Sequence, residues 1–454
     1  MNELDLSRPR RIHVVGAGGS GMSALIEVLV SMGHGVSGSD LADSPVLTRL
    51  RGLGVEISVG HGPSRVGRAE VVAVSTAVPP QNPEVVEALS RRIPVIRRAE
   101  LLAAVAAERR VVAIAGTHGK TTTSAMLATA LDRAGLNPSF LVGGVIAGLG
   151  TGARWGGEWL VVEADESDGT FLELAPEVGV VTSVAPDHLE HWGGFDALVG
   201  AFGEFVAGAE QAVVCADDDL AARAGAVVGA ATYGEHEGAD YRIVDVELAP
   251  AAVSFVLEHG GTVLGEVCVP IPGRHNALNA TAAIAAARCM GAPFDAVAEA
   301  LGRYPGVARR FQRRGESGGV TFVDDYGHLP AKVAAAVSAA RGGGWRRVVC
   351  VFQPHRYSRT AALWRDFATA FDGADLLVVT DVYGAGEEPQ PGVTGKLIAD
   401  AVLEARPTQS VAWLPDRTDV VAFLRSRLRA GDVCLTLGAG DVTTLADDLL
   451  AAAP

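Results

Sequence analysis

The stretch Val111-Val-Ala-Ile-Ala-Gly116-Thr-His-Gly-Lys120-Thr-Thr-Thr123 decides the fold. An apolar run ends in a turn bounded by glycines, and Lys120 and Thr121 then open a helical pattern. This order predicts a strand, a phosphate-binding loop and a helix N-terminus. Glycines let backbone N–H groups approach phosphate oxygens, Lys120 supplies positive charge for the β- and γ-phosphates, and the Thr121 hydroxyl can bind Mg²⁺. Because position 114 is Ile, the loop is shorter than the standard G-x-x-x-x-G-K-[ST] pattern, which indicates a nucleoside triphosphate site of a variant type.

The composition around this loop indicates a chain of several domains. Its 454 residues exceed one ordinary domain, and a hydrophobic content of 48% is enough for several cores. The net charge of −15 argues against nucleic acid as the main ligand. No apolar run reaches the roughly 18–20 residues that span a bilayer, and the five scattered cysteines show no metal-ligand spacing. We therefore expect a cytoplasmic protein without membrane insertion; whether it forms a homo-oligomer stays open.

Short apolar runs alternate with alanine-rich helical patterns along the whole chain. This alternation predicts parallel sheets covered by helices on both faces, in three successive βαβ systems. The stretch from 231 to 270 instead alternates polar and apolar residues, which suggests an antiparallel β addition to the second system. The clearest predicted strands are 11–15, 71–75, 111–115, 160–163, 179–183, 212–215, 348–352, 376–380 and 433–437.

A second glycine-rich turn follows the first predicted strand. The run His13-Val-Val-Gly16-Ala-Gly18-Gly-Ser-Gly21-Met22 has the spacing of a dinucleotide-binding turn, and Asp40 ends the next predicted strand. Such a turn alone indicates only a diphosphate or nucleotide at a helix N-terminus. NAD and a UDP-sugar are both compatible with it.

The predicted strand that begins at Leu160 ends in a run with four carboxylates: Glu163, Asp165, Glu166 and Asp168. So many acids at one strand end repel each other unless a cation neutralises them, and Mg²⁺ is the natural cation beside a phosphate loop. His188 follows another predicted strand and is either a metal ligand or a structural histidine.

Further polar residues come later in the chain. Asn276 and Asn279 lie one helical turn apart and could read adenine or simply cap a helix. Arg310 offers a guanidinium for a transferring phosphate. Arg356 and Arg359 follow a predicted strand at i, i+3 spacing, which could aim both side chains at a carboxylate.

These pieces, in this order, resemble the Mur ligase family over the whole chain. The matching runs are 15–22, 115–123, 163–168, 186–189, 273–276, 324–328, 352–360 and 382–387. The phosphate loop and Gly273-Arg-His-Asn276 are shared across the family, whereas Asp324-Asp-Tyr-Gly-His328 and the run 352–360 are more specific to its alanine-adding branch.

The resemblance implies an α/β protein of three domains. These are a Rossmann-like UDP-substrate-binding domain (residues 1–108), a central P-loop ATP-binding domain with a parallel sheet (109–309) and a Rossmann-like amino-acid-binding domain (310–454). It also implies an amide-bond-forming ligase that uses ATP and Mg²⁺. The implied reaction joins L-alanine to the lactyl carboxylate of UDP-N-acetylmuramate through an acyl phosphate, in peptidoglycan synthesis for cell-wall growth and cell division.

The resemblance also implies roles for individual residues. The implied catalytic residues are Lys120, Glu163, His188, Arg310 and His328, and the implied metal ligands are Thr121, Glu163 and His188. The implied ATP contacts are Gly116, Thr117, His118, Gly119, Lys120, Thr121, Thr122, Asn276, Asn279, Arg310 and Asp325. The implied UDP-substrate contacts are Gly18, Gly19, Ser20, Gly21, Met22 and Asp40, and the implied amino-acid contacts are Tyr326, Arg356 and Arg359.

The chain departs from the family pattern at Leu329, where a second histidine usually follows His328. It also has no lysine between Lys120 and Lys332, so the carbamylated lysine of some sister ligases cannot operate in the central domain. Three alternatives stay open: a sister ligase that attaches a recycled peptide to the same nucleotide, an NAD-dependent oxidoreductase, and a catalytically inactive relative.

Overall fold

The structure is a computed structural model, and it describes residues 4–249 and 251–451. The first domain holds a sheet in which all neighbouring strands are parallel, in the order β3-β2-β1-β4-β5. Its strands are β1 (Arg11–Val15), β2 (Gly35–Asp40), β3 (Glu56–Val59), β4 (Val71–Val74) and β5 (Val95–Arg97), and its helices are α1 (Ser20–Ser31), α2 (Pro45–Gly52), α3 (Pro83–Ser90) and α4 (Arg98–Ala106).

The central domain is built on a sheet with the order β15-β14-β13-β12-β11-β10-β6-β9-β7-β8. Its strands are β6 (Arg110–Ala115), β7 (Ser139–Ile146), β8 (Thr151–Arg154), β9 (Trp159–Glu163), β10 (Val178–Val181), β11 (Gln211–Cys215), β12 (Ala231–Gly234), β13 (Tyr241–Ala249), β14 (Ala252–His259) and β15 (Thr262–Val269). Its helices are α5 (Lys120–Arg133), α6 (Leu189–Trp192), α7 (Phe195–Ala207), α8 (Asp219–Val228), α9 (Arg274–Cys289) and α10 (Phe294–Leu301).

The C-terminal sheet has the order β16-β17-β21-β18-β19-β20, and its pairs are parallel except for the antiparallel pair β16–β17. The strands are β16 (Gln312–Ser317), β17 (Val320–Asp325), β18 (Arg347–Phe352), β19 (Leu376–Val379), β20 (Val411–Trp413) and β21 (Asp432–Leu437). The helices are α11 (Pro330–Gly342), α12 (Tyr357–Leu363), α13 (Lys396–Ala405), α14 (Arg417–Arg427) and α15 (Leu445–Leu450).

The chain divides into two compact units, and the first of them contains the sheet of the first domain and most of the central sheet. One continuous cluster of buried side chains runs through the first and central domains, from Leu25 and Leu29 on α1 to Leu160 on β9 and Phe202 on α7. The second unit contains the C-terminal sheet together with segments 246–254 and 269–276. Its sheet carries one cluster with Val333 and the other with Leu424, one on each face.

The predicted three-domain α/β architecture is confirmed. All nine strands predicted from apolar runs are present, with ends displaced by at most two residues. The predicted antiparallel addition corresponds to β13, β14 and β15, which are neighbours in the sheet and joined by connections of two residues. Connections this short join antiparallel strands only. The start of the predicted stretch was wrong, because β12 pairs in parallel with both β11 and β13. Among the described residues, no helix is long and apolar enough to cross a membrane.

Candidate active site

The phosphate loop between β6 and α5 is held in a conformation that only glycine tolerates at two positions. Gly116 has φ +130°, and a Cβ there would lie 2.1 Å from Oγ1 of Thr182. Gly119 has φ +85°, and a Cβ there would lie 2.5 Å from Oδ1 of Asn279. Backbone strain and steric overlap therefore both exclude a side chain at these positions.

The segment after β10 fixes the other side of this loop. The backbone N–H of Thr117 donates to the Ser183 carbonyl, and the N–H of His118 donates to the Ser183 hydroxyl. The Thr117 hydroxyl donates to the Ala185 carbonyl at 3.1 Å. These bonds leave anion binding to the first turn of α5, whose N-cap Gly119 makes no side-chain cap. The first N–H groups of an uncapped helix attract phosphate oxygens.

Lys120 lies at the start of α5 with its charge held inside the protein. Its Nζ donates to the Gly116 carbonyl at 2.7 Å and to Oε2 of Glu166 at 2.6 Å. Burial acts to lower the pKa of Lys120, but the carboxylates of Glu166 and Asp165 outweigh it and raise this pKa above its ordinary value. Lys120 is therefore a cation at neutral pH, and its ammonium group lies against the loop that it would serve.

The four carboxylates at the end of β9 and just after it have four different environments. Glu163 accepts from the Thr121 hydroxyl at 2.9 Å and from the Gly143 N–H at 2.6 Å. Asp165 accepts from Ser167, and Asp168 forms an ion pair with Arg98 at 2.8 Å. Glu166 is fully buried, and its Oε1 has no hydrogen-bond partner among the described residues.

The unpartnered Oε1 makes Glu166 a candidate cation ligand. Ligand atoms of Glu166, Asp187 and His188 lie within 4.8 Å of one another. His188 has φ +51°, an uncommon conformation for a non-glycine residue, and it follows Asp187 directly. The structure thus groups His188 with Glu166 and Asp187. The other two predicted ligands, Thr121 and Glu163, form a hydrogen bond with each other. Sequence reasoning did not include Asp187 in the metal set, although its place between a strand end and a histidine was a usable signal.

The first glycine-rich turn is held by the end of β2. The N–H groups of Gly16 and Ala17 both donate to the Ser39 carbonyl, and the Gly18 N–H donates to Oδ2 of Asp40 at 2.7 Å. Asp40, which was predicted to contact the UDP substrate, therefore shapes the turn itself. Gly19 is the N-cap of α1 without a side-chain cap, Gly21 lies in the first turn, and Met22 is buried. The Ser20 side chain lies outside the described part of the structure.

A cleft of about 880 Å³ connects this turn to the acidic strand end. Gly19, Gly21 and Arg98 line it on the side of the first domain, and Glu163 and Asp168 line it on the side of the central domain. Arg98 lies so close to α1 that a Cβ on Gly21 would be 3.1 Å from its guanidinium. The cleft thus has a helix N-terminus and an arginine on one side and carboxylates on the other. This arrangement fits a nucleotide whose reacting group lies at a distance from its phosphates.

The two asparagines of α9 are buried. Nδ2 of Asn276 donates to the Pro272 carbonyl at 2.7 Å, and Oδ1 of Asn279 accepts from the Thr123 hydroxyl at 3.3 Å. Asn279 therefore ties α9 to the helix of the phosphate loop, which is a supporting role that the adenine interpretation did not include.

In the second compact unit, Asp325 shapes the turn that carries Arg310. Its two oxygens accept from the Phe311 N–H at 2.8 Å and the Gly327 N–H at 2.7 Å. Arg309 and Phe311 both have positive φ values, which these bonds stabilise. Burial raises the pKa of Asp325, and the nearby Arg310 opposes the shift. The guanidinium of Arg310 lies 5.6 Å from the ring centre of Tyr326.

The ends of β17 and β18 bring two histidines together in the same unit. The rings of His328 and His355 are 5.7 Å apart, and His328 lies edge-on to Tyr326. Burial lowers the pKa of His328 to about 3, while burial followed by the charges of Arg359 and Arg356 lowers that of His355 to about 4. Both imidazoles are therefore neutral near pH 7. His355 carried no predicted role, although it precedes Arg356 directly.

The two arginines of this cluster differ in their surroundings. Nη1 of Arg359 is 3.0 Å from Nδ1 of His355, and since a guanidinium only donates, this nitrogen of His355 accepts. Arg356 is exposed and has φ +67° at the N-cap of α12. The predicted neighbours Arg356 and Arg359 are thus brought to the same strand end. Leu329, which stands where the family has histidine, is the N-cap residue of α11 and is half-buried.

Comparison with known proteins identifies the family. Models described as the Mur ligase family catalytic domain, the Mur ligase middle domain and the Mur ligase glutamate ligase domain match residues 11–110, 114–287 and 309–440. The chain belongs to the Mur ligase family.

Three known proteins illustrate the likeness. The chain is 48% identical to UDP-N-acetylmuramate–L-alanine ligase of Anaeromyxobacter sp. (strain Fw109-5) over 98% of both chains. Its structure is similar to that of the UDP-N-acetylmuramate–alanine ligase of Thermotoga maritima, with a TM-score of 0.84, 29% identity and coverage of 97% and 98% of the two chains. A murein peptide ligase from Psychrobacter arcticus shares the fold, with a TM-score of 0.71, 24% identity and the same coverage.

The glycines that flank α5 give a test of the phosphate loop. We expect Gly116→Ala to raise the KM for ATP at least about tenfold, because strain alone costs about 1–3 kcal/mol and the Thr182 hydroxyl must also move. Gly135→Ala is the matched control: Gly135 also has positive φ, but nothing lies within 4 Å of its would-be Cβ. Steady-state kinetics should show a normal KM for this control. Equal KM values in both variants would contradict the assigned role of the loop.

The neutral histidines predict a pH dependence of stability. The unfolded chain protonates His328 near pH 6.5, whereas the folded protein does so only near pH 3. Between these values the unfolded state binds more protons, so the stability contribution is complete above pH 6.5 and declines as the pH falls. Chemical denaturation from pH 6.5 to 5 should therefore show a shallower decline for His328→Gln than for the wild type. The exposed His236 provides the control, since His236→Gln should keep the wild-type slope.

Proposed function

We propose that the protein is an ATP-dependent ligase that joins L-alanine to the lactyl carboxylate of UDP-N-acetylmuramate through an acyl-phosphate intermediate. The observation that carries this proposal is 48% identity, over nearly the whole of both chains, to a ligase of that name. Mur ligases are ATP-dependent, and the phosphate loop with Lys120 supplies the expected ATP site. The reaction belongs to peptidoglycan synthesis, and its nucleotide substrates fit the predicted cytoplasmic location.

The chemistry requires activation of a carboxylate. A carboxylate is a poor acyl donor because its leaving group would be oxide, whereas an acyl phosphate loses phosphate readily. The oxygen of the lactyl carboxylate attacks the γ-phosphorus and ADP leaves; the alanine amine then attacks the acyl carbon and phosphate leaves. In this proposal Lys120 and Arg310 neutralise charge on the transferring phosphoryl group. The loop residues Gly116, Thr117, His118, Gly119, Thr121 and Thr122 surround the triphosphate.

The residues near the loop fit a divalent cation. Glu166 Oε1 is buried without a hydrogen-bond partner in the described part of the chain, and carboxylates with one histidine are a suitable donor set. We assign the cation to Glu166, Asp187 and His188 together with the predicted Thr121 and Glu163. A bound Mg²⁺ would neutralise phosphate charge. Glu163, which lines the large cleft, would hold the cation on the side of the substrate carboxylate, while Glu166 would keep Lys120 charged and in place.

The remaining substrates are assigned to the other turns. The UDP moiety binds at Gly18, Gly19, Ser20, Gly21 and Met22, with Asp40 holding the turn. Asn276, Asn279 and Asp325 contribute to the nucleoside part of the ATP site. Tyr326, Arg356 and Arg359 hold alanine. Since Nδ1 of His328 faces the Tyr326 carbonyl at 3.0 Å, the neutral ring keeps its proton there and Nε2 can accept a hydrogen bond from the alanine amine.

The alternatives are weaker on specific grounds. The sister ligase for recycled peptides shares the fold, so the fold does not discriminate; the 48% identity favours single-alanine addition. An NAD-dependent oxidoreductase would leave the phosphate loop and the acidic strand end without a purpose. An inactive relative would not need Lys120 kept charged beside the loop.

The direct test is amino-acid-dependent release of ADP. Purified protein with ATP, Mg²⁺ and UDP-N-acetylmuramate should form ADP when L-alanine is added, and mass spectrometry should show UDP-N-acetylmuramoyl-L-alanine. Rapid turnover with the recycled tripeptide and none with alanine would establish the sister activity instead. Reduction of NAD without ADP release would establish the oxidoreductase.

Replacement of Glu163 and replacement of Glu166 should change the dependence of the enzyme on Mg²⁺ to different degrees. Glu163→Gln removes a charge that offsets the cation, so we expect a large loss of kcat together with a raised Mg²⁺ requirement. Glu166→Gln should also lower kcat, because it removes the carboxylate that keeps Lys120 charged, but it should raise the Mg²⁺ requirement less, because Oε2 of Glu166 is occupied by Lys120. Titration of kcat with Mg²⁺ measures both effects. The reverse order of severity would move the main metal ligand to Glu166.

The arginine pair should control alanine binding. The carboxylate is the largest recognition feature of alanine, and a hydrogen bond to a charged group contributes roughly 1.5–3 kcal/mol, so Arg356→Ala and Arg359→Ala should each raise the alanine KM about ten- to a hundredfold. The KM values for ATP and UDP-N-acetylmuramate should change little. The matched control is Arg365→Ala, a nearby arginine whose guanidinium stacks on Trp364. Unchanged alanine KM values in both test variants would place the carboxylate elsewhere.

A further inference from the structure

A buried glutamate in the first domain connects four segments of the chain. Glu84 lies in the first turn of α3, and none of its surface is exposed. Its Oε2 accepts from the Ser39 hydroxyl at 2.5 Å and lies 3.3 Å from Nε2 of His13. Its Oε1 accepts from the Gly62 N–H at 3.1 Å, and Nδ1 of His61 is 3.0 Å from the Ser39 hydroxyl. Both carboxylate oxygens are thus satisfied inside the protein.

The charge of Glu84 is supported by these partners. Burial acts to raise its pKa, but the hydrogen bonds from His13 and Ser39, followed by that from Gly62, outweigh burial and hold the pKa below its usual value. A buried carboxylate is costly unless it is fully bonded. No step of the proposed ligation uses this group, so its place inside the protein needs another reason.

The partner Ser39 leads directly to the first glycine-rich turn. The Ser39 hydroxyl binds Glu84, and the carbonyl of the same residue accepts from the N–H groups of Gly16 and Ala17 at 2.9 and 3.0 Å. The next residue, Asp40, accepts from Gly18. Three successive N–H groups of the turn are therefore positioned by the last two residues of β2, and Glu84 fixes the first of those two.

Close packing makes the turn follow any movement of β2. A Cβ on Gly38 would lie 3.0 Å from both the Ala17 Cβ and the Val14 carbonyl oxygen, so β2 and the turn touch without intervening side chains. Gly16 is similarly tight, since a Cβ there would lie 2.9 Å from the Cβ of Ser75. Packing this dense transmits small displacements.

We propose that Glu84 is a positioning residue for the UDP-sugar substrate, acting through Ser39 to hold the end of β2 and with it the diphosphate-binding turn. The inference rests on the proposed function, in which this turn binds the UDP moiety. Glu84 itself does not touch the substrate. Its effect should appear in substrate binding to the first domain and not in the chemistry of the central domain.

The test removes the link without removing the backbone acceptor. Ser39→Ala deletes the hydroxyl and keeps the carbonyl that binds Gly16 and Ala17. We expect the Kd and KM for UDP-N-acetylmuramate to rise about tenfold, because one hydrogen bond to a charged group is lost and the turn is held less firmly. The KM values for ATP and alanine and the kcat should stay near those of the wild type. Glu84→Gln should give a similar rise, and the double variant should add little to either single change.

Asn82→Ala is the matched control. Asn82 is buried beside the network and caps α3 by accepting from the Glu84 N–H, but it does not contact Ser39. This variant should lower the melting temperature with an unchanged Kd for UDP-N-acetylmuramate. The inference is overturned if Ser39→Ala binds the nucleotide as tightly as wild type. It is also overturned if Asn82→Ala weakens binding as much as Ser39→Ala at an equal loss of melting temperature.

The wild-type protein separates this outcome from failure of the proposed function. Absence of UDP-N-acetylmuramate binding and turnover in the wild type would refute the proposed function. Normal wild-type binding and turnover with an unchanged Ser39→Ala variant would refute only the positioning role of Glu84.

Discussion

The ion pair between Lys120 and Glu166 is the interaction on which the proposed catalytic site depends. A lysine that is largely buried would ordinarily lose its proton, and a neutral amine could not stabilise a transferring phosphoryl group. Glu166 prevents this loss at a distance of 2.6 Å, and the Gly116 carbonyl accepts a second bond. The pair also keeps the ammonium group close to the first turn of α5, where the uncapped N–H groups lie. Burial of both charges costs free energy. In return, the pair fixes a cation in a site shielded from bulk water, where it can stabilise the charge of the transferring phosphoryl group.

Backbone conformation provides the second constraint on the site. Among the described residues, eight non-glycine residues have positive φ values, and four of them are His188 in the central domain and Arg309, Phe311 and Arg356 in the second compact unit. Each of these four residues either has a proposed role or adjoins one that has. Such strain persists only where the surroundings fix it, as Asp325 does by bonding the Phe311 and Gly327 N–H groups. Catalytic side chains are thereby aimed by backbone turns at strand ends.

Local features of the sequence were sufficient for the architecture. The apolar run 111–115, the glycines at 116 and 119 and the helical pattern after Lys120 are all consecutive, so the strand, loop and helix could be predicted together. The same holds for the turn after β1. Contacts across the fold were not accessible in this way. Lys120 and Glu166 are 46 residues apart and meet because β6 and β9 are neighbours, with Ile114 opposite Glu163. Nothing in the order of four acids said which would bind the lysine.

The same limit explains the other residues that sequence reasoning did not assign. Asp187 joins His188 and Glu166 only through the packing of β10 beside β6, and Asn279 reaches Thr123 only because α9 lies against α5. Glu84 follows a proline in an ordinary helix start, and its partners His13, Ser39 and Gly62 come from three other segments. Such a network cannot be predicted from the sequence, because its members share no motif and no regular spacing.

The kcat of the Lys120→Ala variant tests the proposed role of this lysine most directly, with Lys396→Ala as the control. Lys396 is one of only three lysines in the chain and forms an exposed pair with Asp400. The account predicts that Lys120→Ala loses at least about a hundredfold in kcat for alanine-dependent ADP release, since stabilisation of the transferring phosphoryl is worth about 3 kcal/mol. Its Kd for UDP-N-acetylmuramate should match that of wild type, and Lys396→Ala should be normal in both respects. The account predicts a kcat for Lys120→Ala of at most about a hundredth of the wild-type value. A kcat above about a tenth of the wild-type value would contradict the central claim.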